Sequence, residues 1–78
     1  MTQVRWFAGA AAAAGTDRSE VDHQPQGTVA AVLATVCPGA AEVLPRCTFL
    51  ADGARVGGDE PWPENAATLD VLPPFAGG

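Results

Sequence analysis

The sequence has no lysine and no tyrosine, one histidine and two cysteines, and each shortage removes a class of function. Its basic residues are four dispersed arginines in a chain of net charge −5, which make no basic stripe of the kind that phosphate backbones require. Nucleic acid is therefore not an expected partner, and an acidic surface suits basic grooves on partner proteins instead. No apolar run approaches the ~20 residues that span a bilayer, and the opening residues lack the charged-then-apolar layout of a secretory signal. No membrane partner is expected, and the expected location is cytoplasmic. Cys37 and Cys47 would then be reduced thiols. With one on an expected helix and the other in an expected strand, they show no zinc or redox spacing and read as small buried hydrophobes. His23 lies on a polar segment with no nucleophile motif near it, so it reads as a solvated structural residue; no metal site and no catalytic triad are expected.

Seventy-eight residues make one domain with one small core. A chain this short cannot wall a deep pocket on all sides, so chemistry shared with a larger partner is expected in place of a self-sufficient enzyme. A hydrophobic fraction of 47% against 17% charged residues argues for a folded domain, although much of the apolar count is alanine. The larger core candidates are Val4, Trp6, Val29, Val32, Leu33, Val36, Leu44, Phe49, Leu69 and Val71.

Local patterns divide the chain into elements. Gln3 to Ala8 alternates with period two, placing Val4, Trp6 and Ala8 on one face and Arg5 and Phe7 on the other, which predicts a strand. The alanine-rich stretch from Gly9 to Gly15 predicts a short helix or turn docked on the body. Arg18 to His23, flanked by Gly15-Thr16-Asp17 and Gln24-Pro25-Gln26-Gly27, predicts a second strand paired with the first as a hairpin and lying near an edge. Val29, Val32, Leu33 and Val36 then recur at helical spacing, with Thr28 as N-cap and Pro38-Gly39 as stop, which predicts the main helix. Ala40 to Leu44 can add one more helical turn. Cys47 to Ala51, the turn Asp52-Gly53 and Ala54 to Val56 read as a hairpin. Gly57 to Asn65 reads as a loop in which Trp62 fits no pattern. Thr68 to Leu72 is the last expected strand, with Leu69 and Val71 facing in and Asp70 and Leu72 facing out. The order of strand, strand, helix, strand, strand, strand predicts an α+β fold with the helix across one face of a sheet.

Three segments carry a resemblance: Val4-Arg5-Trp6-Phe7-Ala8, Cys47-Thr48-Phe49-Leu50-Ala51-Asp52-Gly53 and the ending Leu72-Pro73-Pro74-Phe75-Ala76-Gly77-Gly78. Together they resemble the small subunit of molybdopterin synthase, within the ubiquitin-like sulfur carriers that include the thiamine sulfur carrier, over the whole chain. The resemblance implies a β-grasp domain over residues 1–74 with a mixed sheet and one main helix, followed by an extended sulfur-carrying tail over 75–78. Where the family often has an acidic-Gly turn before its last strand, this chain has Asn65-Ala66, and Asn tolerates the same left-handed backbone.

The family's reaction implies that the α-carboxylate of Gly78 is adenylated by a ubiquitin-activating-type enzyme using ATP and converted to a thiocarboxylate. The sulfur then goes to a pterin precursor in the pocket of the molybdopterin synthase large subunit, in molybdenum cofactor biosynthesis. The chain would be the sulfur-donor subunit, not catalytic alone, and no cofactor is expected to be bound to it. The chemistry suits the group: an α-carboxyl with a reference pKa of ~3.3–3.7 is already anionic at neutral pH and needs no base of its own. Gly77 and Gly78 let the backbone thread a narrow channel. Phe75, Ala76, Gly77 and Gly78, if extended, reach about 12–14 Å at ~3.3–3.6 Å per residue, and Pro73-Pro74 stiffen the base of the arm. Phe7, Leu72 and Phe75 are the expected partner-binding patch, unless Phe7 folds back onto the alanine-rich turn. Another sulfur pathway, such as thiamine or cysteine synthesis, and a ubiquitin-like modifier or adaptor are the alternatives.

Overall fold

A computed structural model describes residues 1–22 and 26–74. Its elements are β1 (Thr2–Trp6), α1 (Ala8–Ala14), β2 (Arg18–Val21), α2 (Val29–Val36), β3 (Thr48–Ala51), β4 (Ala54–Val56) and β5 (Thr68–Leu72). Single 3-10 turns cover Pro38–Ala40 and Leu44–Arg46. The five strands form one mixed sheet in the order β2-β1-β5-β3-β4, with β1 and β5 parallel and the other neighbours antiparallel. His23, Gln24, Pro25 and residues 75–78 lie outside the described residues, and with them the expected end of the second strand at His23 and the whole tail.

The period of two decides which face of the sheet is covered. In register, Val4 pairs with Leu69 and Trp6 with Val71 across the parallel ladder, and Phe49 pairs with Val71 across the antiparallel one. All five are buried, together with Val29, Val32 and Leu33 of α2 and Leu44 from the second 3-10 turn. The Trp6 indole donates from Nε1 to Ser19 Oγ at 3.1 Å, so the polar end of this core aromatic is satisfied on β2.

The N-terminus of α2 is fully capped. Thr28 Oγ1 accepts from the Ala31 N–H at 3.2 Å. The Val29 and Ala30 N–H groups, which no intrahelical acceptor reaches, donate to the carbonyls of Glu60 and Gly58, each at 2.9 Å. The loop that supplies those carbonyls brings Trp62 into the core at 6% exposure, so a residue that fits no local period becomes a large part of the packing. At the other end of the helix, Gly39 lies against α1, where a Cβ would stand 2.6 Å from the Ala13 carbonyl oxygen. That approach ties α1 to the body and excludes any side chain at residue 39.

Three expectations are corrected. Ala8 does not extend the first strand inward; its φ of +48° turns the chain into α1, and it is exposed. Val36 is not core: it is the last residue of α2, and 36% of its surface is exposed. Asn65 is not left-handed, since among the described residues only Ala8 and Asp52 combine a side chain with positive φ. The turn there is instead held by Thr2 Oγ1, which donates to the Ala66 carbonyl at 2.8 Å.

Asp52 and Gly53, with φ of +48° and +87°, make the left-handed two-residue turn that the β3–β4 hairpin requires. The Asp52 carboxylate also accepts from the N–H groups of Thr68 (2.9 Å) and Ala67 (3.0 Å), clipping the hairpin to the start of β5. These hydrogen bonds, the Thr68 one first, favour the charged form and hold the Asp52 carboxyl below its ordinary value. A depressed folded-state pKa contributes stability that is present above the unfolded value of ~3.9 and is lost as the pH falls through the lower folded value. Asp52→Asn keeps the turn residue and removes the titration. Its unfolding free energy should therefore fall less than the parent's between neutral pH and about pH 2 in denaturant titrations at a series of pH values.

Candidate functional site

The strand alternation that buries one face of the sheet leaves the other face open. From the registers, that open face carries Arg18 and Glu20 of β2, Gln3 and Arg5 of β1, Thr68, Asp70 and Leu72 of β5, Thr48 and Leu50 of β3, and Arg55 of β4. Phe7 follows Arg5 by two positions at the end of β1 and is 39% exposed. Its ring does not fold back onto α1: the Arg5 guanidinium carbon lies over it, 5.8 Å from the centroid. Its N–H donates to the Val71 carbonyl at 3.1 Å, which continues the β1–β5 register and sets Phe7 beside half-buried Leu72. Phe7 and Leu72 thus share one face at the end of the sheet where β5 leaves it. Phe75, Ala76, Gly77 and Gly78 lie outside the described residues.

At the centre of this face, Arg5 and Asp70 form a two-pronged ion pair, with Nε to Oδ1 at 2.6 Å and Nη2 to Oδ2 at 2.8 Å. Asp70 is buried at 8% exposure, although it sits on the open side, because Arg5 lies over it. The hydrogen bond that Arg5 donates to Asp70, with the Asp70 charge second, raises the Arg5 guanidinium further above its already high value. The fork fixes the Arg5 side chain against Phe7, so the apolar patch has a rigid charged border.

Charge on the molecule is unevenly distributed. Three of the four arginines, Arg5, Arg18 and Arg55, belong to the open face, while Glu42, Asp59, Glu60 and Glu64 belong to the loops and turns outside the sheet. The arginines that look dispersed along the sequence are brought together by strand pairing. A surface that meets the open face therefore meets three arginines and two carboxylates, Glu20 and the Asp70 that pairs with Arg5, around apolar side chains, in a chain that is acidic as a whole.

The two thiols are packing groups. Cys37 is buried at the C-terminus of α2, 3.5 Å from Ser19 Oγ, and Cys47 donates to the Val43 carbonyl at 3.3 Å. Burial pushes the Cys47 thiol up, away from the thiolate that nucleophilic chemistry needs. Among the described residues no group of His, Cys, Asp and Glu could hold a metal ion, and no helix is long and apolar enough to cross a membrane.

Faces of β5 can be separated by one substitution on each. Leu69 is fully buried under α2, where an unpaired carboxylate costs several kcal/mol, a large part of the ~5–15 kcal/mol that holds a domain together. Leu69→Asp should therefore abolish the cooperative thermal transition. Leu72→Asp, half-buried on the open side, should keep one. Exchanged outcomes would reverse the faces.

No protein-family model matches the sequence, and no curated protein matches it. Among solved structures, the crystal structure of SAMP1 from Haloferax volcanii superposes with a TM-score of 0.73 at 23% identity, covering 99% of this chain and 98% of that one. A second crystal structure, of the H. volcanii small archaeal modifier protein 1, superposes with a TM-score of 0.70 at 21% identity, covering 95% of this chain and 97% of that one. With a five-stranded mixed sheet whose first and last strands run parallel at its centre and a main helix across one face, the chain has the ubiquitin-like β-grasp fold.

Proposed function

We propose that this chain is a sulfur carrier that works through the α-carboxylate of Gly78, as the small subunit of a molybdopterin synthase. The observation that carries the reading is the position of β5. It is paired on both sides at the centre of the sheet, and it leads through Pro73 and exposed Pro74 toward Phe75-Ala76-Gly77-Gly78, next to the Phe7–Leu72 patch. A carrier needs a reactive terminus on a firmly anchored stem, with a docking surface beside the stem so that the partner's pocket and the terminus are brought together in one binding event.

In this reading the adenylating enzyme uses ATP to activate Gly78, and a sulfur donor converts the acyl-adenylate to the thiocarboxylate. The large subunit then supplies the pterin pocket and the groups that move protons. This chain contributes the sulfur atom, the reach of the tail and the docking face with Phe7, Leu72 and Phe75. The arginines of the open face refine what that partner surface offers: carboxylates opposite Arg18 and Arg55, around an apolar contact for Phe7 and Leu72.

A second reading is favoured by the likeness to the two SAMP1 structures, whose name describes them as modifiers. Under it the activated Gly78 forms an amide with an amine of a target protein. Both readings share activation of Gly78 and part at the product.

Reconstitution with a molybdopterin synthase large subunit, an adenylating enzyme, ATP, a sulfur donor and the cyclic pterin precursor separates them. The carrier reading expects dithiolene formation. Gly77→Ala should reduce it strongly, since activity within twofold of the parent, ~0.4 kcal/mol, would mean that the tail meets no narrow channel. Leu72→Asp should weaken large-subunit binding by about a hundredfold or more while the chain stays folded. Amide conjugates without any dithiolene would favour the modifier reading.

A further inference from the structure

Strand register sets one row of side chains across the whole open face: Arg18, Arg5, Asp70, Leu50 and Arg55, one from each strand. The row holds three guanidinium groups and one carboxylate, and that carboxylate is committed to Arg5. Arg18 stands directly opposite Arg5 on β2. The Trp6 N–H donates to the Asp17 carbonyl, so Trp6 and Asp17 are a hydrogen-bonded pair, and the next pair along, Arg5 with Arg18, is the narrow one without ladder hydrogen bonds. The Cα atoms of such a pair are about 4.5 Å apart, and its two side chains rise on the same side of the sheet. Like charges placed this way destabilise a sheet.

A cleft of about 300 Å³ opens at this pair, lined by Arg5, Trp6, Phe7, Asp17 and Arg18. Arg5 uses Nε and Nη2 on Asp70, which leaves Nη1 for another acceptor. Arg18 is exposed, and its guanidinium makes no ion pair or hydrogen bond among the described residues; the contacts with Thr16 Oγ1 are made by its backbone. Asp17 is the acidic residue of the cleft, and it forms no ion pair with either arginine. Phe7, 39% exposed, supplies an aromatic wall. The cleft therefore combines one fully available guanidinium, the free end of a second and an apolar ring, at a place where the sheet lacks a negative charge.

We propose that this cleft binds a small phosphate monoester, with its phosphate bridging Arg18 and Arg5 and its attached planar ring against Phe7. The donor count selects phosphate. The Arg18 fork takes two oxygens, and a third oxygen remains for Nη1 of Arg5, whereas a carboxylate is used up by the fork alone. Charge selects it as well: a phosphate monoester carries about −1.5 to −2 at neutral pH, so it answers the facing arginines in spite of Asp17. The volume stands at the small end of ligand pockets, which suits a phosphate with one ring and not a larger molecule. Under the carrier reading Arg18 also faces a partner's carboxylate, so a bound phosphate would compete with docking; the binding itself does not rest on that reading.

The test is an NMR titration of the isotopically labelled full chain with phenyl phosphate, read at the arginine Nε–H signals and the backbone amides. The expected result is saturable shifts at the Nε–H groups of Arg5 and Arg18 and at the Phe7 amide, with Arg55 unmoved. Inorganic phosphate should bind the same groups several-fold more weakly for want of the ring, and added salt should weaken both. Arg18→Gln should lower the affinity for phenyl phosphate about tenfold. Because it also removes a like-charge contact, this variant should melt no lower than the parent. Asp17→Asn should bind more tightly, since it removes the carboxylate from the cleft. Four results would each overturn the proposal. They are no saturable shift at millimolar phenyl phosphate, shifts as large at Arg55 as at Arg18, unchanged affinity in folded Arg18→Gln, and benzoate binding as tightly as phenyl phosphate.

Discussion

The parallel pairing of β1 with β5 is the contact on which the rest of the structure depends. It joins residues some 65 positions apart, Val4 to Leu69 and Arg5 to Asp70, and it places the last strand between the two hairpins. Without it, β1–β2 is a lone two-stranded ribbon, marginal in water, separated from the three strands β5, β3 and β4. With it, they become one sheet wide enough for α2 to cover, and Leu69 and Val71 of β5 are fully buried on the covered face. Such a long loop must be closed before its contacts stabilise anything, so the pairing is a non-local contact of the kind that slows folding.

The same pairing sets up the surface. Because β5 runs parallel to β1, both strands end at one side of the sheet, and Phe7 and Leu72 arrive there together. Because Asp70 stands beside Arg5, the middle of the open face is occupied by a forked ion pair and not by a cluster of hydrophobic residues that would invite aggregation. The outer strands, β2 and β4, carry Arg18 and Arg55, so an arginine stands on either side of the central strands. The covered face and the meeting of Phe7 with Leu72 are consequences of one strand position.

Much of this was legible in local signals. The stripe Val29, Val32, Leu33 with Thr28 before it defines α2 from residues that neighbour each other in the helix. The Asp52-Gly53 pair defines its hairpin because few residue pairs adopt two successive left-handed conformations. The features that escaped local reading are those decided by partners far along the chain. Trp62 sits in a loop without period and is buried because that loop caps α2. Val36 has the period of a core residue and is exposed at the last position of α2. Asp70 has the period of a solvent-facing residue and is buried because strand pairing brings Arg5 over it. Arginines 5, 18 and 55 look scattered until the register gathers them. Strand alternation does place Phe7 and Leu72 together, whereas the chemistry of Gly78 is read from residue types and resemblance alone.

Intact-mass measurement of the chain after incubation with a cognate adenylating enzyme, ATP and a sulfur donor tests that chemistry most directly. The account predicts a gain equal to the exchange of one oxygen for one sulfur, with fragmentation assigning the change to Gly78. A chain that returns at its original mass from a reaction in which the enzyme activates an authentic carrier would contradict it, as would a modification mapped to Cys37 or Cys47.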